Sequence, residues 1–298
     1  MNRLHGILAP VTTPFQANGD VDLEAFTSNV RAHLAAGLHG IVVGGSTGEA
    51  ALLDDRERAA LIDTARAAVP DDKVLLAGTG AESTRTAVGL TKTAARAGAD
   101  AVLVVAPHYY GPAMTAEALE THYRRVADES PVPVVLYNIP KYMHYALGPT
   151  LVASLATHEN VIGIKDSSGD LELLRGYLVA QSESFSVLTG NGATFKRALE
   201  MGARGGILAV GLIATSLALE VYSAMSQGTG SSVEQVQERL GTLSTRIVSE
   251  LGVPGVKAAL DRIGLTGGPV RPPLQPLAGE ELGRIAELLR QAELSLAA

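Results

Sequence analysis

The sequence has no cysteine among its 298 residues. Disulfides, thiolate catalysis and cysteine-ligated zinc are thereby excluded. Aromatics are scarce, with no tryptophan, four phenylalanines and eight tyrosines. Basic residues are not in excess. Lys and Arg number 24 against 31 Asp and Glu, for a formal net charge of −7. That balance leaves no basic footprint for nucleic acid or an anionic membrane. Small anionic substrates stay open, because local donors hold them. No run approaches the roughly 20 apolar residues that span a bilayer. The stretch 1–15 is broken by Pro10 and Pro14 and lacks the long apolar region and cleavage site of a signal peptide. A soluble cytoplasmic protein is the expectation. The seven histidines show no His-Glu-x-x-His and no paired ligand spacing, so no metal site is expected.

What is present is an alternation of short apolar runs with amphipathic stretches. Strands are predicted at 6–11, 40–44, 74–78, 101–105, 134–137, 161–165, 186–189 and 206–210. Each is rich in Val, Ile or Leu without clean polar alternation, as strands buried on both faces read. Helical patterns fall at 23–37, 54–69, 83–98, 116–129, 149–156, 170–181, 194–201 and 214–227, several ending in glycine. Eight such units predict an α/β fold of the closed (β/α)8 TIM-barrel type. An open doubly wound sheet competes, but its Gly-rich phosphate loop is absent: the first strand runs into Val11-Thr12-Thr13-Pro14. Gly78-Thr79-Gly80 likewise lacks the third glycine of a dinucleotide loop. The Gly/Ser break 228–232 reads as a junction. It divides a barrel domain, residues 1–228, from a C-terminal helical appendage, residues 229–298. Within the appendage, helices are predicted at 233–251, 254–263 and 279–297, with a loop at 264–276.

In a TIM barrel, chemistry sits at the C-terminal ends of the strands. Of six lysines, only Lys165 ends a predicted strand. A lysine there is partly desolvated, which frees its amine to attack a carbonyl. Spacing alone leaves equally open a structural lysine paired with a neighbouring carboxylate. Tyr137 ends the preceding strand. Its phenol is either a proton shuttle beside Lys165 or an interior hydroxyl satisfied by backbone. Gly44-Gly45-Ser46-Thr47-Gly48-Glu49 follows the second strand, and its hydroxyls and exposed amides can hold a carboxylate. Equally, it is simply a turn. Tyr109 and Tyr110 follow the fourth strand as either a packed loop or an oligomer contact.

Six motifs, in order, cover essentially the whole chain: APVTTPF (9–15), GGSTGE (44–49), APHYYGP (106–112), YNIP (137–140), GIKDSSGD (163–170) and TGNGAT (189–194). Together they resemble the dihydrodipicolinate synthase / N-acetylneuraminate lyase family of class I pyruvate aldolases. The resemblance implies that Lys165 forms the Schiff base and Tyr137 relays protons. It implies that Ser46 and Thr47 bind the pyruvate carboxylate. Tyr109 would complete a hydroxyl relay with Thr47 in a neighbouring subunit's site, and Gly190 and Ile207 would line the site. It further implies a homo-oligomer, dimer or tetramer, whose small-molecule partner is a 2-oxo acid such as pyruvate. No metal or organic cofactor is called for, because the lysine supplies the electron sink.

One position departs from the synthases of that family, which carry an arginine shortly after YN-x-P. Here the residue is Tyr142. The stretches 75–84 and 252–277 look closer to 4-hydroxy-2-oxoglutarate aldolases, and Ser167 suits a hydroxylated or acidic substrate tail. The expectation is therefore a 4-hydroxy-2-oxoglutarate aldolase-like lyase. The alternative is dihydrodipicolinate synthesis from pyruvate and aspartate semialdehyde. A third option is a lyase for 2-keto-3-deoxy acids, and from another class, a catalytically silent 2-oxo acid binder. Lys141, Tyr142 and Ser167 are the candidates for gripping a distal carboxylate.

Overall fold

The computed structural model describes residues 4–229 and 233–297. The eight apolar runs become parallel strands: β1 (Gly6–Pro10), β2 (Gly40–Val43), β3 (Val74–Gly78), β4 (Ala101–Val105), β5 (Val134–Asn138), β6 (Val161–Asp166), β7 (Ser186–Thr189) and β8 (Gly205–Ile207). Each pairs with its sequence neighbours and β8 pairs with β1, so the sheet closes. Nearly every strand residue is buried, because one face fills the barrel and the other meets helices. The seam needs glycine. Gly205 has a φ of +153°, and a Cβ there would lie 1.9 Å from the Gly6 carbonyl oxygen.

The helices are α1 (Leu23–Ala35), α2 (Asp55–Ala68), α3 (Thr84–Arg96), α4 (Ala116–Glu129), the single turn α5 (Pro140–Met143), α6 (Pro149–Leu155), α7 (Leu171–Leu178), α8 (Phe195–Glu200) and α9 (Thr215–Ser226). Their starts are set by side-chain caps. Asp22, Ser83, Thr115 and Asp170 each accept from backbone N–H groups of the first turn, and Asp54 forms a capping box with Glu57. Their inward faces follow the 3.6-residue period. On α4, Leu119, Tyr123 and Val126 are buried, and the Tyr123 hydroxyl donates to the Val104 carbonyl at 3.2 Å.

Beyond the barrel come α10 (Glu234–Leu243), a π-helical turn Ser244–Ser249, α11 (Gly252–Arg262) and α12 (Glu280–Gln291). Four expectations shift here. The last helix, predicted to run to 297, ends at Gln291. The single helix predicted over 233–251 is broken by the π-turn, which a periodicity reading cannot see. The helix predicted from Pro254 starts two residues earlier, since proline is tolerated in a first turn. The eighth strand ends at Ile207 and passes into a 3₁₀ turn, Ala209–Leu212. Val210 and Leu212 are buried there just as they would be in a strand. Of the junction read at 228–232, residues 230–232 lie outside those described. Among the described residues, no helix is long and apolar enough to cross a membrane.

Candidate active site

The register of β5 on β6 sets the centre of the site. Tyr137 pairs with Lys165, and Asn138 with Asp166. Adjacent residues in a parallel ladder project to the same face, so the phenol and the amine meet. The Lys165 Nζ lies 4.1 Å from the centroid of the Tyr137 ring, and both residues are only 5% exposed.

One residue further along each strand, the side chains lock the two strands together. Asn138 Nδ2 donates to Asp166 Oδ1 at 2.8 Å, and the Leu147 N–H donates to Asn138 Oδ1 at 3.0 Å. The Ser168 hydroxyl and N–H both donate to the Asp166 carboxylate. Burial raises the Asp166 pKa, and the Asn138 and Ser168 hydrogen bonds oppose that rise. Asp166 is thus engaged on the far side. Among the described residues no carboxylate forms an ion pair with Lys165. The geometry therefore departs from the paired structural lysine that spacing had left open.

The mouth holds a cavity of about 120 Å³ lined by Ser46, Thr47, Tyr137, Lys165, Ser167, Gly190 and Ile207 among others. These seven residues, all singled out from sequence, are therefore brought together. Ser46 and Thr47 stand on a 3₁₀ turn, Ser46–Gly48, directly after β2. The buried Thr13 hydroxyl fixes that turn by donating to the Gly48 carbonyl at 2.8 Å. Gly190 admits no side chain, since a Cβ would sit 1.9 Å from Ser167 Oγ and 3.0 Å from Lys165 Cε. Its N–H donates to the Asp166 carbonyl at 2.5 Å, tying β7 to the same cluster.

Tyr109 does not line this pocket. It is 77% exposed and stacks edge-on against Tyr110 with centroids 4.9 Å apart. Glu82 shapes its loop by accepting from the N–H groups of His108 and Tyr109 at 3.0 and 2.9 Å. The Tyr145 hydroxyl donates to the Pro107 carbonyl at 2.5 Å. Burial, and then the Glu82 charge, push the Tyr145 phenol up to about 12.

Reading by strand ends missed the opposite wall. The π-turn and the start of α11 supply Ser244, Val248, Ser249, Gly252, Val253 and Val256, and the β7 loop supplies Asn191. A π-helical turn at a functional cavity is a recurrent association. The likeness of residues 252–277 to one group of aldolases was the available signal, though it named no wall residues. Lys141 and Tyr142 on α5 also line the pocket, and Lys141 Nζ donates to the Ser249 carbonyl at 2.9 Å. Burial, with Tyr137 nearby, raises the Tyr142 phenol above its ordinary value.

An eight-stranded parallel barrel whose mouth presents an amine beside a phenol, fenced by hydroxyls, belongs to the class I carbon–carbon lyases. Sequence comparison agrees: residues 3–292 match the model of the dihydrodipicolinate synthetase family. The chain belongs to that family. It is 33% identical over 287 residues to a 4-hydroxy-tetrahydrodipicolinate synthase of Methanothrix thermoacetophila, covering 95% of each chain. It is 35% identical over 294 residues to one of Nitrosospira multiformis, covering 99% of this chain and 97% of that one. Among solved structures, dihydrodipicolinate synthase from Bacillus anthracis superposes with a TM-score of 0.93 at 30% identity, over 97% of this chain and 99% of that one. The pyruvate complex of a chloride-inhibited dihydrodipicolinate synthase from Acinetobacter baumannii gives 0.93 at 30% identity, over 98% and 100%.

Proposed function

We propose that this chain makes or breaks a carbon–carbon bond next to pyruvate through an imine on Lys165. The observation that carries the reading is the buried amine, without an ion pair among the described residues, 4.1 Å from the Tyr137 ring at the strand ends. In the cleavage direction, the unprotonated amine adds to the C2 ketone of a 4-hydroxy-2-oxo acid, and loss of water leaves a protonated imine. Tyr137 takes the C4 hydroxyl proton, and the C3–C4 electron pair moves into the imine. An aldehyde and an enamine result. Protonation of the enamine at C3 and addition of water return pyruvate and the free amine. Ser46 and Thr47 hold the C1 carboxylate, which fixes the ketone beside the amine. Ser167, Gly190 and Ile207 shape the remaining wall. Tyr109, exposed on its own chain, serves a neighbouring copy by joining Thr47 there, which calls for a homo-oligomer. The two tyrosines that stand 77% and 68% exposed support this assignment.

For the aldehyde, the reading is glyoxylate, released from 4-hydroxy-2-oxoglutarate. Tyr142 at the arginine position of the synthases and the character of residues 252–277 support it. The pocket's charged lining residues are Lys165 and Lys141, so Lys141 is the cation at hand for a distal carboxylate. A second reading, condensation of pyruvate with aspartate semialdehyde, is favoured by the names of the relatives at 33–35% identity. Both partners carry a distal carboxylate, so Lys141 does not separate them. Pyruvate release from 4-hydroxy-2-oxoglutarate, measured beside condensation with aspartate semialdehyde and followed by NMR of the products, does. Turnover of the second substrate alone replaces the first reading. A borohydride-trapped pyruvate adduct on Lys165 without turnover of either makes the chain a silent binder.

A further inference from the structure

Directly after Ser46, Thr47 and Gly48, residue Glu49 adopts a left-handed conformation, with φ of +57°. That backbone is uncommon for a residue with a side chain and needs its surroundings to hold it. The surroundings are explicit. The Glu49 side chain is fully buried, and its Oε1 lies 2.5 Å from Nζ of the equally buried Lys257 on α11. Its Oε2 accepts from the Arg271 N–H at 2.9 Å. Lys257 also donates to the Pro269 carbonyl at 2.7 Å. The Phe15 ring is clasped between Lys257 Nζ at 4.4 Å and the Arg271 guanidinium at 4.2 Å. The guanidinium in turn forms a bidentate pair with Glu57 and donates to the Leu52 and Gly19 carbonyls.

Segments distant in sequence thus meet in one buried cluster around the Glu49 carboxylate. The residue before Lys257, Val256, faces the substrate pocket. Burial lowers the Lys257 pKa and the Glu49 contact opposes that. Removing either partner leaves the other charge buried and unmatched.

We propose that Glu49 and Lys257 are positioning residues: their buried pair sets the Ser46–Thr47 hydroxyls at the spacing that a 2-oxo acid carboxylate requires. The assignment rests on the reading of Ser46 and Thr47 as the carboxylate site. Its signature is selectivity. Loss of the pair weakens capture of a ketone that bears a carboxylate and spares a ketone that does not.

The test is borohydride trapping on Lys165, read by mass spectrometry against ketone concentration, with pyruvate and with methyl pyruvate. Glu49→Gln and Lys257→Met are expected to raise the half-saturating pyruvate concentration roughly tenfold or more, the scale of a lost charge-assisted hydrogen bond. Methyl pyruvate is expected to trap as in the unaltered protein. Phe15→Leu keeps both charges and loosens their packing, so it should give the same selective shift at smaller size. It decides the matter if neither charge variant folds. An unmoved pyruvate curve, or an equal shift for both ketones, overturns the positioning role and leaves the pair a strut of the fold. If the unaltered protein gives no Lys165 adduct with pyruvate, the reading of the site fails, and the inference falls with it.

Discussion

Two lysines are buried in this molecule in outwardly similar settings. Lys165 on β6 is 5% exposed and faces the Tyr137 ring at 4.1 Å. Lys257 on α11 is 1% exposed and faces the Phe15 ring at 4.4 Å. They differ in partners. Lys257 has a carboxylate at 2.5 Å and a carbonyl at 2.7 Å, whereas Lys165 has no ion pair among the described residues. Burial alone therefore does not mark a nucleophile. A matched charge is an anchor, and it costs much to break. An amine left without an anion, beside a cavity, is free to meet a carbonyl.

The sharpest way to break this comparison is to remove Lys165. Lys165→Ala should reduce turnover to background while the thermal midpoint stays put. Near-normal steady-state kinetics would end the nucleophile assignment. Tyr137→Phe comes next, with kcat expected to fall by roughly 10²–10⁴-fold, the usual scale of lost general acid–base catalysis. An unchanged kcat would take the phenol out of the reaction. Lys257→Met should act on the fold as well as on pyruvate capture. Stranding the Glu49 charge should cost about 3–5 kcal/mol in a urea titration, and unaltered stability would show that the pair anchors nothing.

A last prediction separates pH dependence of the fold from that of the site. Burial lowers both His33 and His122 to about 4 from an ordinary 6.5. The folded chain thus holds them neutral where the unfolded chain would protonate. Their contribution is complete above pH 6.5 and is lost as pH falls from 6.5 through 4. Urea midpoints should drop over that window in both the unaltered protein and Lys165→Ala; a flat profile would contradict it.

The barrel was legible because strands buried on both faces leave unbroken apolar runs and helices leave a 3.6-residue period. Lys165 and Tyr137 were legible because a strand end is a local feature, and their meeting then follows from register. The far wall was not. Ser244, Ser249 and Gly252 come from a segment with no strand to index them, and the π-turn that presents the two serines shares the apolar spacing of an ordinary helix. Glu49, Lys257 and Arg271 escaped for another reason. They are separated by more than 200 positions between the first and the other two, and charged residues in helical or loop stretches look solvated until the fold buries them. Tyr109 shows the complementary limit. Its motif was visible, but the single chain leaves it facing outward, 77% exposed.

The π-turn and α11 also bear on how such a scaffold diversifies. The half of the pocket that would hold the keto acid is built from strand ends cross-linked through Asn138, Asp166 and the Gly190 amide. On the proposed reading, much of the half that would meet the incoming or departing aldehyde is borne by a separate segment, whose substitutions at Ser249, Gly252 or Val253 touch none of those links. If that reading holds, an altered choice of aldehyde would be reachable by single codon changes that leave the covalent machinery undisturbed. Libraries aimed at new aldol products belong on those three positions.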